Sequence, residues 1–276
     1  MMNLESKSPY AGAYYQTRWG FNYFLSVIKS IPDRIEPYNL LAGALPGTVP
    51  GIDISHWQGD LTLDWWVTAY NEGYRFVFLK ATEGLEFADP KYAINKTNAQ
   101  LAGFKVGAYH FARPEKSGIR QAEFFISVAG ELDIGGVWDL EDDGGVDDIV
   151  INSRTEDFLS ALNDHYGYSW MYSAAWFLDP RQINPQVPYY RWVAHWTTAS
   201  EPYMPRIWRD RPYDAWQHSD SEEVAGKTPI NANRMQKTLF DNLTDGTNGE
   251  YVTIRVKQET IDDLKRALAE AGRINL

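Results

Sequence analysis

Gly135-Gly136-Val137-Trp138-Asp139-Leu140-Glu141-Asp142-Asp143-Gly144-Gly145 is the stretch on which the reading of this chain turns. Val137, Trp138 and Leu140 read as a short buried strand, Val137 to Glu141, interrupted by Asp139 and Glu141. Side chains alternate along a strand, so Asp139 and Glu141 point to one face and Leu140 to the other. Two carboxylates beside a core are costly unless they do chemistry. Their proximity raises at least one pKa, which is how a carboxyl stays protonated near neutral pH and serves as a general acid. The flanking glycines leave room for a bulky substrate. Taken alone, the run Asp139, Glu141, Asp142 and Asp143 reads equally well as a solvated acidic turn or a calcium site.

Outward from that stretch, strands and helices alternate. Strand-like segments are Gly51–Ser55, Arg75–Lys80, Val106–Phe111, Trp170–Ser173, Tyr190–Trp196, Tyr213–His218 and a very short Ile230–Asn233. Helix-like segments are Leu63–Asn71, Pro90–Leu101, Ser117–Ala129 and Ser153–Tyr166, the last with Ser153 as N-cap and Gly167 as stop. Such alternation implies a mainly parallel sheet. The expected fold is α/β: a flattened, incomplete (β/α)8-like barrel with some helices shortened or lost. It carries an N-terminal extension and a short C-terminal strand-helix appendage. The expected organisation is 1–50 as extension and linker, 51–241 as the catalytic barrel, and 242–276 as linker plus appendage. In the ends, Trp19–Ile35 holds a short helix, Tyr251–Val256 alternates like a strand, and Thr260–Ala271 is an amphipathic helix.

Barrels of this kind place their site at the carboxyl ends of the strands. Polar residues recur there: Asp53 and Ser55, Lys80 and Glu83, Tyr109 and His110, Asp139 and Glu141, Tyr172, His195 and Trp196, Gln217 and His218, and Asn231. Their convergence predicts one cleft lined by carboxylates, amides and aromatics.

Composition narrows the partners. The chain of 276 residues has 26 Lys+Arg against 37 Asp+Glu, a net charge of −11, which is the wrong sign for nucleic acid or an anionic membrane surface. Cysteine is absent, excluding disulfides and thiolate metal sites. No stretch approaches the length of a membrane span, and no signal peptide is visible. That pattern suits cytosolic synthesis with release by lysis or within a phage particle, or a leader already removed. The 11 Trp, 17 Tyr and 12 Phe are a heavy aromatic load, which reads either as a carbohydrate groove, where sugar faces stack on the rings, or as a Trp-rich core.

Six motifs, in order, resemble those of glycoside hydrolase family 25, the Chalaropsis-type lysozymes (N-acetylmuramidases) frequent among phage endolysins. They are Gly51-Ile-Asp-Ile-Ser-His-Trp-Gln-Gly59, Phe76-Val-Phe-Leu-Lys-Ala-Thr-Glu-Gly84, Gly107-Ala-Tyr-His-Phe111, Trp138-Asp-Leu-Glu141, Trp192-Val-Ala-His-Trp196 and Ala215-Trp-Gln-His218. The match spans about residues 50–240. The resemblance implies cleavage of the β-1,4 bond between N-acetylmuramic acid and N-acetylglucosamine in bacterial peptidoglycan, with no metal and no other cofactor. It implies that Glu141 is the general acid and then the base, and that Asp139 orients the 2-acetamido group. Asp53 is implied as a supporting carboxylate. Tyr109, Tyr172, Trp196, Gln217 and Asn231 are implied as substrate contacts. Whether the acetamido group attacks with net retention, Asp139 attacks directly, or water inverts the centre depends on a carboxyl separation that sequence does not give. Lys80 and Glu83 pair as part of the rim.

Two positions depart: Trp196 stands where the family commonly has Tyr, which keeps stacking but loses a hydroxyl, and a second departure lies near the last strand. Where the family pattern has Val-Asp-x-Asn, this chain reads Ile230-Asn-Ala-Asn233, with Asn231 in the place of the Asp. An amide holds hydrogen bonds but no charge. Asp220, Glu222 and Glu223 lie near in sequence and read as a solvated loop. The Asn231 departure keeps a second class open, a wall-binding or virion structural module of weak or no catalysis. A third is a metal-dependent polysaccharide hydrolase or deacetylase using the acidic cluster; His56, His110, His195 and His218 with Asp53 and Asp139 would be a metal centre, but no His-x-x-x-His or comparable close spacing occurs. Residues 1–50 and 242–276 are left as candidates for an assembly contact.

Overall fold

The computed structural model describes residues 45–245. The expected helix at Trp19–Ile35, the strand at Tyr251–Val256, the helix at Thr260–Ala271 and any assembly contact of the ends lie outside or almost wholly outside those residues.

Strands β1 (Thr48–Ile54), β2 (Phe76–Glu83), β4 (Lys105–Phe111), β5 (Gly136–Asp139), β6 (Ser169–Ala174), β7 (Tyr190–Ala194) and β8 (Ala215–Val224) run parallel in succession. β9 (Lys227–Gln236) returns antiparallel between β8 and β1, closing an eight-stranded barrel. A two-residue strand β3 (Phe87–Ala88) hangs on the end of β2. Around the barrel lie α1 (Leu63–Asn71), α2 (Tyr92–Ala102), α3 (Gly118–Ala129), α4 (Asp148–Tyr166) and the single turn α5 (Ala175–Leu178). Between β7 and β8 the connection holds only the 3-10 turn Arg206–Trp208, and between β8 and β9 only a hairpin. The sheet is thus complete, while the ring of helices is not.

Two-residue alternation sorts each strand between two cores. Ile52, Ile54, Val77, Leu79, Val106, Ala108, Trp138, Met171, Val193 and Trp216 face outward into the layer under the helices. Val49, Phe76, Phe78, Val137, Trp170, Tyr172, Trp192, Ala215 and Met235 face into the barrel. The inner core is floored by a last helix, α6 (Lys237–Asp245), whose Phe240 and Leu243 join that cluster, with the Phe240 ring 6.3 Å from Phe76. Aromatic side chains fill the lower barrel, and the polar inner positions lie above them.

Several expected bounds move. β5 stops at Asp139, not Glu141, although the alternation continues: Leu140 is fully buried under the helices and Glu141 faces the pocket. α4 begins five residues before Ser153, with Asp147 at its N-cap; Ser153 lies inside the first turns, on a helix made long by Ile151, Phe158, Leu159 and Leu162 on its buried face. The segment at Ile230–Asn233 is the middle of a ten-residue strand, not a short one. Asp220, Glu222 and Glu223 are solvated as expected, but on the exposed arm of strand β8, not on a loop. The sequence hid this hairpin because its outer half is polar on both faces. The boundaries drawn at 50/51 and 241/242 fall inside β1 and α6.

Candidate active site

At the carboxyl end of the barrel, a pocket of about 230 Å³ opens over the inner core. Its walls include Asp53 from β1, Lys80 from β2, Tyr109 from β4, Asp139 and Glu141 at and beyond the end of β5, Tyr172 from β6, Gln217 from β8 and Asn231 from β9. Strand register explains the gathering. Asp139 lies between Phe111 and Tyr172 on its neighbours, and Asp53 lies opposite Asn231.

Asp53 accepts three side-chain hydrogen bonds in the pocket. Gln217 Nε2 donates to its Oδ2 at 2.8 Å, Asn233 Nδ2 to the same oxygen at 2.8 Å, and Asn231 Nδ2 to Oδ1 at 3.0 Å. Burial pushes its pKa up and the three amide donors pull it back, leaving it at about 6. The amides are themselves held. Gln217 Oε1 accepts the Tyr172 hydroxyl and the Trp196 indole N–H, each at 2.9 Å, and Asn233 Oδ1 accepts Trp192 Nε1 at 2.8 Å. Their acceptor ends being used, Gln217 and Asn233 must present their NH2 groups to Asp53.

Asp139 differs. It is 6% exposed, and its buried Oδ1 has no hydrogen-bond partner in the protein. Burial first, then the Glu141 carboxylate, raise its pKa well above the usual range. Glu141 is raised too, by burial first and then by the negative field of Asp53, against the pull of Lys80. Tyr109 and Tyr172 stay neutral, since burial and these same carboxylates raise their hydroxyls. A cleft holding two neighbouring carboxyls, each with a strengthened grip on its proton, is equipped for proton transfer to a leaving group.

The rim is braced by ions. Lys80 Nζ donates to Glu83 Oε2 at 2.7 Å, and Arg113 joins Glu83 to Asp142, with Nε at 3.1 Å from Glu83 Oε1 and Nη1 at 2.6 Å from Asp142 Oδ2. Arg181 binds Asp143 at 2.6 Å. The expected Lys80–Glu83 pair is therefore present, and Lys80 also faces the pocket.

Seven of the eight expected site residues line this pocket. The eighth, Trp196, reaches it through its bond to Gln217, while its ring borders a neighbouring depression along β8 and β9 that also takes in Asp220 and Glu222. Ser55, expected with Asp53 at the end of β1, lines the pocket, while sequence reasoning missed Trp57, Gln58, Phe111, Trp192 and Asn233. For Trp192 and Asn233 a signal existed, because each is two residues from another inward position on its strand. The histidines do not converge: His56 binds Asp89 at 2.8 Å, His110 is buried between Thr82 and Gln121, His195 accepts the Tyr203 N–H, and His218 lines the neighbouring depression along β8 and β9. Among the described residues, no group of three or more His, Asp or Glu has the geometry of a metal site.

A β/α barrel with paired carboxyls at its strand ends has the groups that glycoside hydrolysis of the acid/base type requires. The sequence profile of glycosyl hydrolases family 25 matches residues 52–227, and the chain belongs to that family. Lysozyme M1 of Streptomyces globisporus is 34% identical over 198 residues, covering 64% of each protein, so the match spans a little under two thirds of that relative. The N,O-diacetylmuramidase of Arthroderma benhamiae is 30% identical over 203 residues, covering 67% of this chain and 82% of that protein. The solved structure of a family 25 lysozyme from Aspergillus fumigatus superposes with a TM-score of 0.64 at 25% identity, covering 71% of this chain and 99% of that one. By family, then, the chain is a glycoside hydrolase.

Proposed function

We propose that this protein is a muramidase acting on the bacterial cell wall, cutting the β-1,4 bond between N-acetylmuramic acid and N-acetylglucosamine in peptidoglycan. The observation that carries the reading is Asp139: a buried carboxyl beside Glu141 with one oxygen unpartnered. A 2-acetamido N–H is a fitting donor for that oxygen. Once bonded, Asp139 is favoured as the carboxylate, and its charge keeps the proton on Glu141. Glu141 then protonates the glycosidic oxygen as the C1–O bond breaks and its electron pair leaves with the N-acetylglucosamine 4-hydroxyl. The acetamido oxygen closes on C1, with Asp139 stabilising the positive charge that forms. Water, deprotonated by Glu141, opens the ring from the opposite face, so the configuration is retained. Tyr109, Tyr172, Gln217, Asn231 and Trp196 contact the sugar or hold what does, and Asp53 supports the site from β1.

The test is release of reducing ends from purified peptidoglycan with a chelator present, wild type beside Glu141→Gln, with the anomer of the first product read by NMR. Activity in the wild type alone, with a β product, is expected. Lysis by Glu141→Gln would remove the assignment of the acid, and an α product would remove the acetamido route. The second reading is a wall-binding module, favoured by Asn231 in the place of the family's aspartate. It predicts that both proteins sediment with walls and neither releases reducing ends.

A further inference from the structure

We propose that Trp57 is a stacking platform for an N-acetylhexosamine ring of the glycan strand adjoining the sugar in the catalytic pocket. The proposal rests on the muramidase reading for its substrate. Trp57 is 81% exposed, yet it lines the same pocket as Asp53, Asp139 and Glu141. An indole so exposed on a chain that buries five tryptophans completely is an unusual placement.

The residues around the ring hold it there. Ser55 caps the 3-10 turn His56–Gln58: its Oγ accepts the Trp57 N–H at 3.3 Å, and its own N–H is held by Gln58 Oε1 at 2.9 Å. His56 is fixed through both its backbone N–H and its Nδ1 to Oδ2 of Asp89, at 2.9 and 2.8 Å. Asp89 is itself buried and bonded to the Lys91 N–H. On that base the His56 ring lies 4.7 Å from the Trp57 ring on one side and 5.5 Å from Phe87 on the other. The turn that carries the indole is ordered before a ligand arrives, the His56 ring packs against it, and most of the indole faces solvent, open to a stacking partner.

The pocket itself, at about 230 Å³, is smaller than sites that enclose a drug-sized molecule. A polymeric glycan must therefore run out over its rim. Sugar rings present apolar C–H faces, and a rim tryptophan is the surface that takes them; among the described residues, no other exposed tryptophan lines this pocket.

The experiment compares Trp57→Ala and Trp57→Phe with wild type on soluble glycan fragments, reading kcat, KM, the pH profile and Tm. Binding of Glu141→Gln with and without Trp57→Ala to the same glycan is measured by calorimetry. The expected result for Trp57→Ala is a KM raised roughly tenfold, the scale of one lost stacking contact. Its kcat, pH profile and Tm stay close to wild type, and Trp57→Phe recovers most of the KM. An unchanged KM overturns the proposal. So does a fall in kcat with a shifted pH profile or a lower Tm, which would mean that Trp57 acts by holding the Ser55–Gln58 turn. If the wild type releases no reducing ends, the muramidase reading falls instead, and the calorimetric arm still decides whether Trp57 holds the sugar.

Discussion

Asp53 faces Asn231 across the β1–β9 ladder, and the contact runs through an amide N–H, not a charge. With its pKa raised from 3.8 to about 6, Asp53 binds its proton more tightly in the folded chain than in the unfolded one. The linkage follows from that sign: the stability this group contributes is present below about pH 3.8 and is lost as pH rises through about 6. The loss amounts to roughly 3 kcal/mol at neutral pH. Asn231→Asp removes a donor that lowers this pKa and sets a second carboxyl in hydrogen-bond range of the first. The pair then shares a proton, and holding both charges costs more as pH rises. The variant is therefore expected to melt below wild type by a wider margin at pH 8 than at pH 5, as scanning calorimetry would show. An equal margin at both values would mean that the two side chains do not sense each other. The motif comparison marked position 231 from sequence. That its partner is Asp53 was not legible, since it depends on β9 entering the barrel antiparallel.

At the scale of elements, the chain Lys80–Glu83–Arg113–Asp142 ties the end of β2 to the loops after β4 and β5. Glu83 shows the balance of forces: burial pushes its pKa up, and its bonds to Lys80 and Arg113 outweigh that and leave it below the ordinary value. Lys80 is 8% exposed, with its ammonium 5.0 Å from the Phe111 ring and 5.5 Å from that of Phe87. The charged groups acting on Asp139 are Glu141, Lys80, Asp53 and Glu83; those acting on Glu141 are Asp53, Lys80 and Asp142. In both sets Lys80 is the cation. Lys80→Met should thus raise both carboxyl pKa values and move the pH profile of kcat/KM toward higher pH, while Lys80→Arg keeps it near its place. A profile that stays put or moves to lower pH in Lys80→Met would refute this. The Lys80–Glu83 pair was named from the resemblance; plain alternation sets residues three apart on opposite faces, and the register shift in β2 between Lys80 and Thr82 removes that obstacle. Arg113 was not, because nothing in a loop's spacing tells which distant acid it will meet.

For the whole molecule, alternation in the sequence was enough to find the parallel strands and to put Asp53, Tyr109, Asp139 and Gln217 on one face. What alternation could not supply was closure. β9 completes the sheet by pairing Thr48 with Gln236, Val49 with Met235 and Pro50 with Arg234, and α6 then seals the floor with Phe240 and Leu243. Both features straddle the ends of the 51–241 segment that the composition suggests as the catalytic unit. A fragment of 45–245 keeps every strand paired on both sides around the barrel and keeps the inner core covered. A fragment of 51–241 loses the first three pairs of β1 and exposes the site of Val49 and Leu243, which are 3% and 8% exposed in the intact fold. Two buried aliphatic side chains are worth about 3–6 kcal/mol together. In a domain of this size that corresponds to a Tm lower by roughly 10 °C. The expectation is that 45–245 unfolds in one transition and retains activity on peptidoglycan, while 51–241 melts at the lower temperature or fails to accumulate as soluble protein. Equal melting temperatures would show that α6 and the start of β1 do not close the barrel, and that the sheet is held by its eight strands alone.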